Sequence, residues 1–304
     1  MTRIMTRLEQ LAISKNPYGI TTPLRYPGGK SVIAGHLAEI IAVLNSVDER
    51  QITTYVEPYA GGAGAAISLL LNDVVEQIVI NDCDVAIHAF WDSIRYRHKD
   101  MISLIVDTPV TIDEWNRQRA IYQSKVCVSA RDRLELGFAT FFLNRTNRSG
   151  IIKAGVIGGK SQNGEYKLDA RYNKETLVEK IETIAERRRA ISVYKSDGGT
   201  VFAKYAKKTN AFLYLDPPYV KQGKNLYLNA FSENHHKKLA KKVSGVKAGN
   251  WIVTYDNHEL IREAYSLNHQ YLFELRYSAQ RKRQASELLI CSDPVKSVLM
   301  EIGV

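Results

Sequence analysis

The most distinctive group of residues that could do chemistry is Asp216-Pro217-Pro218-Tyr219, directly after an apolar run in a chain of 304 residues. The two prolines remove two backbone donors and stiffen the chain, so they hold the Asp216 carboxylate, the Pro217 carbonyl and the Tyr219 ring in fixed relative positions. Two acceptors beside an aromatic ring suit a planar heterocycle with an exocyclic amine. The heterocycle would stack on Tyr219 and donate its two amine N–H groups to Asp216 and the Pro217 carbonyl. The alternative interpretation is a proline-rich turn without a ligand.

A second candidate is the segment EPYAGGAG at 57–64, which contains Glu57, Pro58, Gly61, Gly62 and Gly64. Glycines allow a strand-to-helix turn to pass close to a ligand, and the following helix N-terminus offers unpaired N–H groups to a carboxylate or phosphate. The glycine spacing matches neither the dinucleotide fingerprint nor the P-loop of nucleotide hydrolases, which disfavours both classes. A glycine turn without a ligand remains the alternative.

Two further motifs contribute polar groups. Asp82, in NDCD at 81–84, follows an apolar strand, where a carboxylate can accept hydrogen bonds from both hydroxyls of a ribose. A solvated turn aspartate is the alternative. In LRYPGGK at 24–30, Lys30 could pair with a carboxylate and the Gly28–Gly29 backbone permits close approach, although this motif says little in isolation.

The elements that must position these residues alternate between strand and helix. A strand at 53–60, a helix at 63–73 and a strand at 77–82 are predicted, after an apolar helix at 31–47. This β-α-β order predicts a parallel sheet with its ligand at the carboxyl ends of the strands. The later chain predicts strands at 210–216 and 251–256, a basic helix at 234–246 and a closing hairpin of 271–279 with 285–293. We therefore expect one α/β domain, residues 1–85 and 191–304, interrupted by a mainly helical insertion at 86–190.

The charge of the chain indicates a polyanionic partner. Its 42 basic and 32 acidic residues give a net charge of +10, which favours nucleic acid or, alternatively, an anionic membrane surface. The insertion holds 19 of the basic and 13 of the acidic residues, so it carries most of the excess. It is therefore the candidate nucleic-acid-binding domain.

Within that insertion, the loop NRTNRSG at 144–150 is rich in the side chains that read adenine and guanine edges. The candidate DNA contacts are Arg145, Asn147, Arg148 and Lys153 of this region and Arg281 and Lys282 of the hairpin. A polar loop stabilised by its own asparagine turns is the alternative. Two arginine-rich stretches, at 95–99 and 187–189, could contact phosphates or form solvated helix faces.

Several classes are excluded by what the sequence does not contain. The cysteines at 83, 127 and 291 form no CxxC pattern, so neither a disulfide scaffold nor a cysteine zinc site is expected, and no metal is expected elsewhere. The N-terminus has no signal-peptide core, and no run of about 18 apolar residues predicts a spanning helix. We expect a cytoplasmic protein in a reducing compartment, without a membrane partner.

Taken together, the motifs resemble those of the Dam-type D12 class DNA adenine-N6 methyltransferases of the alpha group. RYPGGK is similar to that family's N-terminal cofactor motif, and VEPYAGGAG to its glycine loop, in which phenylalanine usually stands at position 59. IND with Asp82 resembles the ribose-binding motif, and LDPPYVKQGKNLY at 215–227 the catalytic motif. FFLNRTNRSGI and SELLI also recur in the family. The resemblance runs from about residue 20 to 292, in the motif order of this class.

The resemblance implies a Rossmann-like S-adenosylmethionine-dependent methyltransferase sheet with an antiparallel closing hairpin and an inserted, mainly helical target-recognition domain. It implies that S-adenosylmethionine contacts Tyr26, Pro27, Gly28, Gly29 and Lys30, with Lys30 at its carboxylate. Residues 57–64 would pass under its methionine and ribose portions, Asp82 would hold the ribose hydroxyls, and Asp216 would lie beside both cofactor and target amine. Asp197 would border the cofactor adenine, or is a plain turn aspartate.

The implied activity is methyl transfer to N6 of a flipped-out adenine in double-stranded DNA, by a monomer that a cognate restriction endonuclease could accompany. Cytosine N4 or RNA adenine as the acceptor, and a catalytically inactive DNA-binding module, remain alternatives. A nicotinamide dehydrogenase shares the fold but not the glycine spacing. The stretch VIGGKSQNGEYKLDARYN at 156–173 departs from the pattern of GATC methylases, so the sequence does not determine the target site.

Overall fold

The fold is a twisted sheet with helices on both faces, seen in a computed structural model that describes residues 22–25, 33–47, 51–220, 231–276 and 284–301. The strands within these ranges are β1 (Thr54–Glu57), β2 (Gln77–Asn81), β3 (Ile191–Tyr194), β4 (Ala211–Leu215), β5 (Asn250–Asp256), β6 (His269–Arg276) and β7 (Gln284–Cys291). They form one sheet in the order β3-β2-β1-β4-β5-β7-β6.

The direction of the strands confirms the Rossmann-like prediction. β1 pairs in parallel with β2 and β4, β2 with β3, and β4 with β5, whereas β7 runs antiparallel to β5 and β6. Because β1 lies between β2 and β4, the order of the strands reverses there. In such sheets ligands bind outside the carboxyl ends of the strands at this switch point.

The helices of the described ranges are α1 (Ala34–Val47), α2 (Gly64–Leu71), α3 (Val85–Tyr96), α4 (His98–Asp107), α5 (Ile112–Ser124), α6 (Ala130–Thr146), α7 (Lys174–Glu186), α8 (Gly198–Tyr205), α9 (Glu233–Ser244), α10 (Glu259–Ala264) and α11 (Asp293–Glu301). Outside the insertion, the strand β3 and the helices α8, α10 and α11 have no counterpart among the predicted elements. β3 is only four residues long and these helices have eight, six and nine residues, so none has a long periodic signal of its own. Among the described residues, no helix is both long and apolar enough to cross a membrane.

The predicted insertion is the connection from β2 to β3, and its helices do not have a separate core. Phe90 and Trp91 of α3 and Phe141 of α6 belong to the same buried cluster as Tyr55 of β1 and Ile80 of β2. The predicted boundary at 86 therefore falls at the start of a helix that packs on the sheet. The division of the chain into a catalytic and a target-recognition domain stays a prediction.

Candidate active site at the carboxyl ends of the strands

Three acidic residues lie at the carboxyl ends of neighbouring parallel strands. Glu57 is the last residue of β1, Asp82 follows β2 and Asp216 follows β4. The parallel pairing of these strands brings all three to one edge of the sheet. Asp216 lies more than a hundred residues beyond Glu57 and Asp82 in the sequence, so the sheet is what brings it to them.

Glu57 is buried and carries an unusual protonation equilibrium. One carboxylate oxygen accepts hydrogen bonds from the Tyr55 hydroxyl and the Ala66 N–H, each at 3.0 Å. Burial raises the pKa of Glu57 to about 8, and the nearby Asp216 carboxylate raises it further, against the lowering effect of the two hydrogen bonds. Glu57 is therefore mostly neutral at pH 7.

The glycine-rich turn after β1 is held from two sides. The Gly61 N–H donates to an Asp82 carboxylate oxygen at 3.1 Å, and the Gly61 carbonyl accepts from the Trp91 indole N–H at 2.8 Å. Gly61 has φ of 48°, a left-handed conformation that glycine adopts at little cost, and the next such residue is Ala63 with φ of 47°. Gly62 and Gly64 are buried in the same turn. The loop is thus preformed, and α2 begins directly after it.

Asp82 is the acceptor that ties the second strand to this loop. Besides the Gly61 N–H, its carboxylate accepts the Asp84 N–H at 2.9 Å. Burial and the Asp84 charge raise the pKa of Asp82 to about 6, although the two backbone hydrogen bonds oppose that shift. Each carboxylate oxygen has two lone pairs, so Asp82 retains acceptor capacity for further donors.

Asn81 is a residue of this region that the sequence reasoning missed. Its fully buried side-chain amide donates to the carbonyls of Pro58 at 2.8 Å and Ser196 at 3.0 Å, and its oxygen accepts the Ser196 N–H at 2.9 Å. One side chain at the end of β2 therefore joins the loops that follow β1 and β3. The sequence signal was an asparagine at the end of an apolar strand, which does not reveal its partners.

Asp197 has a structural role that accounts for its position. Its carboxylate accepts the Thr200 N–H at 2.9 Å and so caps the N-terminus of α8, as the plain turn interpretation requires. The next residue, Gly198, lies against the Tyr59 ring so closely that an added Cβ would be 2.3 Å from a ring carbon. The Tyr59 ring therefore packs between the glycine loop and α8. The contact of Asp197 with a cofactor adenine stays a prediction.

The residues of the DPPY motif are held by side chains from β5 and β7. The Thr254 hydroxyl donates to Asp216 at 2.9 Å, the Tyr219 hydroxyl donates to Glu287 at 2.9 Å, and the Val220 N–H donates to Asp256 at 3.0 Å. Asp216 is partly exposed, whereas the Tyr219 side chain is 7% exposed. Pro217 and Pro218 are buried beside them. These bonds tie Asp216, Tyr219 and Val220 to β5 and β7.

The loop after α6 corrects one of the predicted DNA contacts. Asn147 is fully buried; its side-chain oxygen accepts from the Trp115 indole N–H at 2.7 Å, and its amide donates to the Ile152 carbonyl at 2.8 Å. The Asn147 side chain therefore supports the loop and has no exposed surface with which to contact DNA. At this position the structure shows the alternative interpretation, in which the loop at 144–150 is stabilised by its own Asn147.

The basic residues of the same loop differ in their exposure. Arg148 and Lys153 are exposed at the end of a turn that an antiparallel bridge between Asn147 and Val156 closes. Arg145 is partly buried and donates to the Arg171 carbonyl at 2.7 Å. Burial, together with the charges of Arg25 and Arg171, lowers the pKa of Arg145 to about 10. Among the described candidates, Arg148 and Lys153 are the exposed ones, and their contact with DNA stays a prediction.

The remaining predicted site residues lie outside the described residues. These are Tyr26, Pro27, Gly28, Gly29 and Lys30 of the N-terminal motif, and Arg281 and Lys282 of the hairpin. Of the arginine-rich stretches, Arg97 forms an ion pair with Asp100, and Arg187 forms one with Asp73. Both pairs are on the surface, where such interactions contribute little to stability.

Comparison with known proteins identifies the family. The model of the D12 class N6 adenine-specific DNA methyltransferase family matches residues 26–282. The Type II methyltransferase M.MjaIII of Methanocaldococcus jannaschii is 22% identical over 204 residues, which cover 64% of this chain and 68% of that protein. The rRNA methyltransferase aviRa from Streptomyces viridochromogenes aligns over 87% of this chain and 88% of its own, at 9% identity and a TM-score of 0.31. The family match spans the glycine loop, Asp82 and the DPPY motif, and it shows that the chain belongs to the D12 class N6 adenine-specific DNA methyltransferases.

Proposed function

We propose that this enzyme transfers the methyl group of S-adenosylmethionine to N6 of an adenine that is flipped out of double-stranded DNA. The observation that carries the proposal is the position of Asp216. It follows β4 beside the carboxyl end of β1, where the glycine loop begins, so an amine bound at Asp216 lies next to the site that the loop forms.

The residues at the strand ends fit S-adenosylmethionine. The Asp82 carboxylate has acceptor capacity for ribose hydroxyls, and the glycine turn that it holds is preformed beside it. When bound, S-adenosylmethionine supplies a methyl group on a positively charged sulfur. Lys30 and its neighbours, from the N-terminal motif, would complete the site.

The chain's own contribution to the reaction is to hold the acceptor amine. The N6 lone pair of adenine is delocalised into the ring, so the amine is a poor nucleophile. Hydrogen bonds from its two N–H groups to Asp216 and to the Pro217 carbonyl favour tetrahedral geometry at nitrogen and restore the lone pair. Alignment of the two reactants then supplies much of the rate, and the proton can leave afterwards without a strong general base.

The acceptor adenine must leave the duplex to reach Asp216. Flipping costs a few kcal/mol, which stacking on an aromatic ring partly offsets. Tyr219 would provide that ring. Its side chain is 7% exposed, so a base that stacks on it must displace part of what now covers the ring.

The proposed DNA-binding surface is the insertion, with Arg148 and Lys153 as its exposed basic contacts. Further proposals are that the enzyme is a cytoplasmic monomer and that a cognate restriction endonuclease accompanies it. The Type II relative supports the endonuclease proposal, which an inspection of the neighbouring genes tests. Cell fractionation tests the cytoplasmic location, and light scattering of the purified protein tests the monomeric state.

The central test replaces Asp216 with alanine and measures tritiated methyl transfer from S-adenosylmethionine to unmethylated DNA. We expect methyl transfer to be abolished while the thermal unfolding profile is retained. Asp107→Ala, which removes an exposed carboxylate of α4, is the control and should keep wild-type activity. Full activity of the Asp216→Ala variant would contradict the assignment. Long-read sequencing of the product identifies the modified base, so N4-methylcytosine or an unmodified DNA would support the alternatives.

A further inference from the structure

The Asp216 carboxylate is the last of three hydrogen-bonded groups in a row. The Tyr214 hydroxyl is 2.6 Å from the Thr254 hydroxyl, which is 2.9 Å from an Asp216 carboxylate oxygen. The side chains of Tyr214 and Thr254 are each 2% exposed, so solvent does not compete for these bonds. The family motifs in the sequence contain Asp216, but they single out neither Tyr214 nor Thr254.

The donors in this row have one possible direction. A carboxylate only accepts hydrogen bonds, and a threonine hydroxyl has one proton. The Thr254 proton therefore goes to Asp216, so Tyr214 must donate to Thr254. Burial and the Asp216 charge raise the pKa of Tyr214 well above its ordinary value, which keeps its phenol protonated and able to donate.

Thr254 is suited to holding the Asp216 carboxylate because the side-chain rotation of threonine is restricted, whereas the terminal torsion of aspartate is not. The terminal torsion of an aspartate side chain is broad, so the carboxylate plane has no strong intrinsic preference. Threonine is β-branched, with restricted side-chain rotation. Thr254 also lies within β5, which pairs with β4 on one side and β7 on the other. The hydroxyl is thus anchored to the rigid centre of the sheet.

We propose that Thr254 is a positioning residue for methyl transfer, which fixes the rotation of the Asp216 carboxylate toward the acceptor amine, with Tyr214 orienting the Thr254 hydroxyl in turn. The inference rests on the proposed role of Asp216. It predicts a defect in the transfer step rather than in the binding of cofactor or DNA, because Thr254 reaches the reaction only through Asp216.

The test compares Thr254→Val, which removes the hydroxyl but keeps the branched shape, with Thr254→Ser, which keeps the hydroxyl. Single-turnover methyl transfer is measured with S-adenosylmethionine and DNA at saturation, and the two dissociation constants are measured separately. We expect Thr254→Val to slow transfer by roughly 10- to 100-fold, the effect of losing one hydrogen bond to a charged group. The dissociation constants should change by less than about twofold, and Thr254→Ser should restore most of the rate.

Two further variants separate positioning from loss of a buried hydroxyl. In Tyr214→Phe the Thr254 hydroxyl can still donate its hydrogen bond to Asp216, so this variant should slow methyl transfer less than Thr254→Val does. Thr140→Val removes an equally buried hydroxyl that donates to the Leu136 carbonyl within α6, and it should leave the transfer rate unchanged.

The outcomes distinguish this inference from the proposed function. A wild-type rate for Thr254→Val, or a Thr254→Ser variant as slow as Thr254→Val, would overturn the positioning role while leaving the methyltransferase proposal intact. Equal rate losses in Thr254→Val and Thr140→Val would also overturn it. Absence of methyl transfer by the wild-type protein on every DNA would instead contradict the proposed function.

Discussion

Replacing Glu57 with glutamine is expected to stabilise the fold at neutral pH. The pKa of Glu57 is raised from 4.5 to about 8 because the side chain is buried at the end of β1. At pH 7 the unfolded chain therefore has an ionised Glu57, whereas the folded protein has a neutral one, and folding must take up a proton. Glutamine is neutral in both states, and its oxygen can still accept from the Tyr55 hydroxyl and the Ala66 N–H.

The size of the effect follows from the distance between pH 7 and the unfolded pKa. One pKa unit corresponds to about 1.4 kcal/mol, so proton uptake at pH 7 costs about 3 kcal/mol, which the variant does not incur. The sign with pH is also determined. Between pH 4.5 and 8 the folded state binds more protons than the unfolded state, so this group makes wild-type stability fall as the pH rises.

The assay is urea unfolding of the wild type and Glu57→Gln at pH 5.5, 6.5 and 7.5. The free energy of unfolding of the variant should exceed that of the wild type by an amount that grows by about 1.4 kcal/mol per pH unit. Glu179→Gln, which neutralises an exposed carboxylate of α7, is the control and should stay within about 0.5 kcal/mol of the wild type. A variant less stable than the wild type at pH 7.5, or a difference that does not change with pH, would refute the reasoning.

Three other predictions concern the binding of cofactor and DNA. Asp82→Asn should weaken S-adenosylmethionine binding by about tenfold in calorimetry. Wild-type binding should also weaken as the pH falls below about 6, because Asp82 is then protonated. An unchanged dissociation constant in the Asp82→Asn variant would exclude Asp82 as the ribose acceptor. Gly198→Ala places a Cβ 2.3 Å from a ring carbon of Tyr59, so the ring must move and cofactor affinity should fall; retention of the wild-type dissociation constant would show that the ring position is not needed. Arg148→Ala and Lys153→Ala should each reduce the slope of log affinity against log salt by about 0.9 in fluorescence anisotropy with duplex DNA, and an unchanged slope would remove that residue from the phosphate contacts.

Much of the candidate site could be predicted from the sequence because its residues belong to local signals. The apolar runs before Glu57, Asp82 and Asp216 predicted strands. The glycines and prolines in the segments that follow β1 and β4 predicted the turns that end them. In a β-α-β chain these positions lie at the carboxyl edge of a parallel sheet, which places the site before any contact is known. The family resemblance rests on these same residues, and the family match confirmed it.

The groups that support the site could not be predicted, because their partners are distant in sequence. Thr254 lies 38 residues from Asp216, Glu287 lies 68 from Tyr219, and Asn81 lies 115 from Ser196. Each of these contacts depends on the order of strands in the sheet and on the register between them, which local patterns do not encode.

The sequence by itself determined which residues could do chemistry, at which strand ends they stand and which family they belong to. The tertiary structure decided which of the polar side chains are buried in support of others and which stay exposed. Asn147 illustrates the difference: its residue type suits base recognition, but it is fully buried against Trp115. The physical reason is that a buried polar side chain without a hydrogen-bonding partner destabilises the folded protein. Such a side chain therefore pairs with a partner that the fold brings within hydrogen-bonding distance, and patterns in the sequence do not reveal that partner.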